Sequence, residues 1–233
     1  MCVCKNMRLP VTIHNSADYP STTVFVAEET LGGRRKRCLD ILFSIISIIA
    51  LTPIMLIISL LVLILDGGPA IIRHERIGLR GASFGCLKFR TMIKNGEDVL
   101  RAHLAENINA QKEWEKTRKL TNDPRVTRIG RILRKTSLDE LPQIFNILIG
   151  DMSFVGPRPI VYEEIKRYGS AFLDYRQTRP GLTGAWQISG RNDIAYDVRI
   201  ELDRSYISNW SLWLDLTIIL KTIPAVIRAK GVY

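Results

Sequence analysis

The sequence predicts an α/β domain with a small, mostly antiparallel sheet, joined to a long apolar helix that sits in a membrane. Three observations carry this. Residues 41–65 contain no charged side chain, and a helix of that length reaches about 37 Å, enough to cross a hydrocarbon core of about 30 Å. After Asp66-Gly67-Gly68-Pro69 the texture becomes that of a soluble domain, with charges interleaved among short apolar runs. Two of those runs flank Leu79-Arg80-Gly81-Ala82 as the strands of a hairpin would.

The elements follow in order. Residues 1–33 read as a polar tail, 34–66 as the membrane segment and 67–233 as the catalytic or binding domain. The run at 41–65 is too long, and lies too far from the start, for a cleaved signal peptide. Thr52-Pro53 falls in its middle, where proline removes a helical hydrogen bond and a kink is expected. Arg34-Arg35-Lys36-Arg37 precede the run and Arg73, Arg76 and Arg80 follow it. Flanking charge therefore selects no orientation. A tilted spanning helix and a helix that enters and leaves on one side both fit. Residues 70–77 and 83–90 read as strands, 95–119 as a charged helix and Asn122-Asp123-Pro124 as a turn. Leu141 to Ile149 reads as a short apolar helix stopped by Gly150. Residues 160–176 and 193–208 read as helices, and 209–227 as an apolar helix led by Trp210 and Trp213.

Composition narrows the function. The chain has 233 residues, 46% of them hydrophobic, which excludes a disordered protein. It is too short for a polytopic transporter that also carries a soluble domain. Its 33 Lys and Arg against 23 Asp and Glu give a net charge of +10. Such a balance calls for an anionic partner: nucleic acid, anionic lipid or a phosphate-bearing substrate. Four cysteines without CxxC spacing and three histidines without a pattern argue against a zinc site or a serine-histidine mechanism. No GxxxxGK[ST] element is present, so this is not a Walker-type ATPase.

The most chemically suggestive stretch is Arg131 to Gln143. There the adjacent carboxylates Asp139 and Glu140 follow Arg131, Arg134 and Lys135. Cations so close favour the carboxylate form and can also hold phosphates. A divalent cation on one carboxylate would bring phosphates beside it. Ser137-x-x-Glu140 equally matches a capping box. In Pro157-Arg158-Pro159 two fixed φ angles hold an arginine out as a clamp. Strand alternation puts Lys88 and Arg90 on one face and Phe89 on the other. Gln187 and Arg191 lie in a glycine-bounded loop.

Together and in this order, the motifs resemble one family. They are Lys36-Arg37-x-x-Asp40, Thr52-Pro53, Arg76-x-Gly78, Lys88-Phe89-Arg90-Thr91-Met92 and Asp123-Pro124-Arg125-Val126-Thr127. Then come Ser137 to Gln143, Met152 to Pro159, Arg179 to Gly184 and Trp186 to Arg191. Over residues 34–233 the chain is similar to the bacterial sugar transferases, small monotopic phosphoglycosyl transferases. The resemblance implies transfer of a sugar-1-phosphate from a UDP-sugar to undecaprenyl phosphate with release of UMP, the priming step of exopolysaccharide synthesis. The galactosyl-priming members are the most similar, which makes UDP-galactose the first expectation and UDP-glucose the second. Asp139 would be the nucleophile and a ligand of Mg²⁺, with Glu140 completing the dyad. Arg158 would hold the nucleotide diphosphate and Arg134 a phosphate. Lys88, Arg90, Gln187 and Arg191 would be further substrate contacts.

The resemblance also implies a re-entrant membrane helix broken at Thr52-Pro53, with both ends on the cytoplasmic side of the bacterial inner membrane. The catalytic domain would face the cytoplasm. The 210–227 helix would lie at the interface beside anionic lipids, with its two tryptophans at headgroup level. Nucleic acid would not be a partner. The rival readings are a membrane-anchored nucleic-acid-binding module, suggested only by the charge, and a silent scaffold of a polysaccharide assembly. An intact Asp139-Glu140 pair argues against the scaffold.

Overall fold

The computed structural model describes residues 30–117, 120–189 and 194–227. Its first element is α1 (Gly33–Asp66), ended by Gly67 in a left-handed conformation whose N–H returns to the Leu63 carbonyl. The helix is not broken at Thr52-Pro53. The Thr52 hydroxyl donates to the Ile48 carbonyl at 2.6 Å, and the chain stays helical through Pro53. One stripe of α1 is buried in two stretches, Lys36, Asp40 and Ser44 near its start and Met55, Ile58 and Val62 in its second half, with no buried residue at 45–54. The other faces are apolar and open, with Ile49 73% and Ile64 68% exposed.

That stripe rests on the domain. Near its start, Lys36 pairs with the buried Asp215. Arg37 donates to the Leu148 carbonyl at 2.6 Å, and Asp40 accepts from the Ser153 hydroxyl and the Phe154 amide, both at 3.0 Å. In its second half, Met55, Ile58 and Val62 form a core with Phe89 and Leu133.

Strands β1 (Ile71–Ile77) and β2 (Ser83–Phe89) pair antiparallel in the expected hairpin. Arg80, at φ 59°, turns its tip. The outer edge of β2 would leave backbone groups unpaired. Asn146, 1% exposed, satisfies two of them: its amide donates to the Gly85 carbonyl and its oxygen accepts from the Leu87 N–H, both at 2.9 Å. The segment read as one charged helix at 95–119 divides at Asn107 into α2 (Gly96–Glu106) and α3 (Ile108–Thr117). The Asn107 side chain accepts from the Asn109 and Ala110 amides, which starts a new helix there.

After α4 (Arg128–Thr136) and α5 (Gln143–Ile149) come two three-residue strands, β3 (Ser153–Val155) and β4 (Gly181–Thr183). They pair in parallel, a minor addition to the antiparallel β1–β2 pair that makes up most of the strand structure, as expected. Residues 160–176 do not form one helix. They make a 3₁₀ turn, α6 (Ile165–Tyr168) and α7 (Ala171–Tyr175), divided at Gly169 with φ 51°. Short α8 (Ala185–Ile188), then α9 (Tyr196–Ser208) and α10 (Leu212–Ile227), complete the described chain. On the last helix Trp213 is 78% exposed, as an interfacial residue would be. Trp210 departs from that expectation, because its indole N–H donates inward to Asp215 at 3.1 Å.

Candidate active site

The carboxylates Asp139 and Glu140 sit on a 3₁₀ turn between two helices that are both tied to β2. Helix α4 starts with the Thr127 hydroxyl accepting from the Gly130 N–H at 2.9 Å. Gly130 lies directly on the Thr91 backbone, where any side chain would collide. Helix α5 is tied by Asn146. Between them Ser137 adopts φ 57° and ψ 18°, an unusual conformation for a residue with a side chain. It ends α4, and its side chain makes no capping bond. The capping-box expectation therefore fails: Ser137 is the terminator of one helix rather than the cap of the next. Leu138 and Leu141 pack on the core shared with Met55, Ile58 and Val62 of α1. The carboxylates are thus held beside the apolar helix.

Lys88 faces them from β2. Its Nζ lies 2.7 Å from Glu140 Oε1 and 3.9 Å from Asp139 Oδ2. The Asp139 side chain is only 13% exposed. Burial pushes its pKa up to about 6; Lys88 opposes this, the Glu140 charge adds to it, and Arg134 opposes it again. Burial disfavours the Lys88 cation, but Glu140 and Asp139 outweigh that and hold its pKa above the ordinary lysine value. The Arg134 Nε donates to the Thr91 hydroxyl at 2.9 Å. Asp139 is thus a shielded carboxylate that ionises near neutrality, close to cations able to take phosphate charge.

A second cluster gathers at Trp186. Two guanidinium groups meet the Trp186 ring, that of Arg158 at 5.3 Å from its centre and that of Arg199 at 4.9 Å. A small cavity here is lined by Arg158, Glu164, Trp186, Tyr196, Arg199 and Asp203. Asp203, 2% exposed, accepts from the Tyr168 hydroxyl at 2.9 Å. Burial raises its pKa to about 7, and the Tyr168 hydroxyl partly counters this. Lys88, Glu140 and Arg158 all act electrostatically on the buried Cys86 thiol, whose pKa burial pushes up to about 11.

Residues 32–229 match the sequence profile of the bacterial sugar transferases. The chain belongs to that family. It is 50% identical over 218 residues to the exopolysaccharide production protein ExoY of Rhizobium meliloti, covering 91% of this chain and 96% of that one. It is 51% identical over 198 residues to the undecaprenyl-phosphate galactose phosphotransferase of Salmonella typhimurium, covering 85% of this chain and 41% of that protein. It is 39% identical over 209 residues to a UDP-glucose:undecaprenyl-phosphate glucose-1-phosphate transferase of Caulobacter vibrioides, with 85% and 72% covered.

Of the residues expected in this transferase's site, the structure groups Lys88, Arg134, Asp139 and Glu140. Arg158 belongs to the tryptophan cluster and, among the described residues, forms no ion pair with either carboxylate. The Gln187 Oε1 is buried without a partner. Arg90 is buried just beyond the end of β2 and, among the described residues, forms no ion pair with either carboxylate. Arg191 lies outside the described residues. Sequence reasoning missed Thr91, Tyr196, Arg199 and Asp203 as site residues. The Arg158–Trp186–Arg199 cluster joins residues far apart in the chain, and no local pattern announces it. The run Lys36, Asp40, Ser44, polar at every fourth position, was a readable sign that one face of α1 meets protein.

Proposed function

We propose that this sugar transferase moves a sugar-1-phosphate from a UDP-sugar to undecaprenyl phosphate, releasing UMP, to prime exopolysaccharide synthesis. The observation that carries this is the shielded Asp139 carboxylate, set beside Lys88 and Arg134 and packed against the membrane helix. The names of the relatives agree. Those from Salmonella and Caulobacter are named for undecaprenyl-phosphate chemistry, with galactose and glucose respectively, and another, from Erwinia amylovora, is a UDP-galactose-lipid carrier transferase. UDP-galactose is the first donor to test.

In this reading an Asp139 oxygen attacks the phosphorus that carries the sugar. The bond to the bridging oxygen breaks and UMP leaves with that electron pair. Undecaprenyl phosphate then attacks the same phosphorus and Asp139 departs as a carboxylate, so one anhydride is exchanged for another and no proton need be supplied. Splitting the transfer lets the polar donor leave before the lipid acceptor arrives. Glu140 fixes Lys88 at 2.7 Å, which keeps the ammonium beside the reacting phosphoryl oxygens. Arg134 adds a second cation, and Arg158 offers a fork to the UMP phosphate.

The adjacent carboxylates suit a magnesium ion that binds through one or two protein oxygens and completes its shell with water and substrate phosphates. Asp139 would hold it, while Glu140 is engaged with Lys88 at 2.7 Å; among the described residues no group of three acidic, histidine or cysteine ligands exists. Bound there, it would neutralise charge on the diphosphate.

The same reading places both ends of α1 on the cytoplasmic side. Buried residues near both ends of α1, Lys36 and Asp40 at one and Ile58 and Val62 at the other, rest on the same domain, and a straight helix crossing the bilayer would draw that domain into the hydrocarbon. We propose an anchor that stays helical but bends at Pro53 and returns to the side it entered from, with the catalytic domain facing the cytoplasm. The deciding assay is UMP release from a panel of UDP-sugars with undecaprenyl phosphate in nanodiscs. Turnover with UDP-galactose or UDP-glucose is expected, and no release from any donor would defeat the proposal.

A further inference from the structure

Arg90 lies just beyond β2, 5% exposed, and none of its three guanidinium nitrogens has a hydrogen-bond partner. A buried guanidinium without partners is costly, so its environment is complete only when an anion enters. The guanidinium lies against the bare backbone of Gly68, and Lys94 folds over the same glycine, with its Nζ 3.0 Å from where a β-carbon would stand. Two cations therefore converge on one residue. Neither forms an ion pair among the described residues. The nearby acids are engaged elsewhere: Asp66 accepts from the Thr127 hydroxyl at 2.9 Å, and Asp123 is gripped by Arg125 at 2.7 Å. A third cation, Arg134, reaches the neighbouring Thr91 hydroxyl.

Position identifies the class of anion. Gly68 follows the last turn of α1, where Leu63, Ile64 and Leu65 are all exposed. A ligand here meets charge on one side and a membrane-embedded apolar surface on the other. A compact phosphate carrying a long hydrocarbon chain satisfies both. We propose that Arg90 and Lys94 over Gly68 form the receptor for the phosphate of the lipid acceptor, with its chain running along the end of α1. Arg134, which donates to the Thr91 hydroxyl and acts electrostatically on Asp139, then links this receptor to the carboxylate. The assignment rests on the phosphoglycosyl reading and gives that reaction an acceptor site distinct from the Arg158 cluster.

The test uses the full chain in nanodiscs, with Arg90→Met and Lys94→Gln measured against both substrates. Removing charge-assisted hydrogen bonds should raise the KM for undecaprenyl phosphate about tenfold to a hundredfold in Arg90→Met, and about twofold to tenfold in Lys94→Gln. The KM for the UDP-sugar should stay within about twofold. Lys94 is exposed, so its variant keeps the test alive if Arg90→Met misfolds. A direct arm measures binding of farnesyl phosphate, farnesol and inorganic phosphate to wild type and variants. Farnesyl phosphate should bind wild type and lose affinity in both variants. Equal binding of inorganic phosphate would give the site to free phosphate and overturn the lipid assignment. A raised donor KM with an unchanged acceptor KM, or no change in either, would also overturn it. Wild type that releases no UMP would sink the phosphoglycosyl reading instead, and farnesyl phosphate binding would still judge the receptor.

Discussion

Replacing Asp139 with Asn should stabilise the protein while abolishing its turnover. The ordinary carboxyl pKa of 3.8 rises to about 6 in the folded chain, chiefly because Asp139 is buried. The folded state therefore binds this proton more tightly than the unfolded state, and the ionised form opposes folding. At 1.36 kcal/mol per pH unit, the gap costs about 3 kcal/mol at pH 8. It falls to about half that at pH 5 and to a small fraction of it at pH 4, as the group protonates in both states. Asn is nearly isosteric and carries no charge, so it removes the cost. For a domain of this size the gain corresponds to a Tm rise of about 6–12 °C at pH 8. Thermal unfolding of both proteins in the same detergent, from pH 4 to pH 8, measures it. The two melting curves should converge as the pH falls, while UMP release by the variant stays at background throughout. A variant no more stable than wild type at pH 8, or a gap independent of pH, would refute the reasoning. Such a site keeps a stability deficit that its chemistry requires.

Three further outcomes are expected. Arg158→Lys should lower kcat/KM for the UDP-sugar about tenfold to a hundredfold, because lysine keeps the charge but loses both the bidentate fork and the guanidinium's contact with the Trp186 ring; near-normal kinetics would remove Arg158 from the site. Gly130→Ala should cost about 1–3 kcal/mol, seen as a lower Tm, because its methyl would meet the Thr91 carbonyl and push α4 off β2. In inside-out vesicles, an impermeant thiol reagent should modify both Cys38 and a cysteine introduced at Ala82, in a chain whose Cys2 and Cys4 are serine; protection of Cys38 there, with labelling from the opposite side, would exclude a re-entrant anchor.

The hairpin and the long apolar helix were legible because each is written locally, by turn residues or by an uninterrupted run. The Asp139-Glu140 pair was legible as chemistry but not as backbone. Ser137 matches a helix-start pattern, yet packing of Leu138 and Leu141 on α1 forces it to end the preceding helix in a left-handed conformation. Segment 160–176 has helical composition, but Gly169 divides it so that Tyr168 and Tyr175 can pack edge to face, 5.4 Å between ring centres. Strands β3 and β4, at three residues each, are too short for any alternation to show. The grouping of Arg158, Trp186 and Arg199 arises only when separate helices pack.

The most direct test of the account is where the donor's phosphate rests when no acceptor is present. Wild-type protein incubated with UDP-galactose labelled in the sugar and its attached phosphate should retain label through denaturation. Peptide mass spectrometry should place that label on Asp139, and undecaprenyl phosphate should discharge it. Protein that carries no label while still turning over, or label on a residue other than Asp139, would contradict the mechanism.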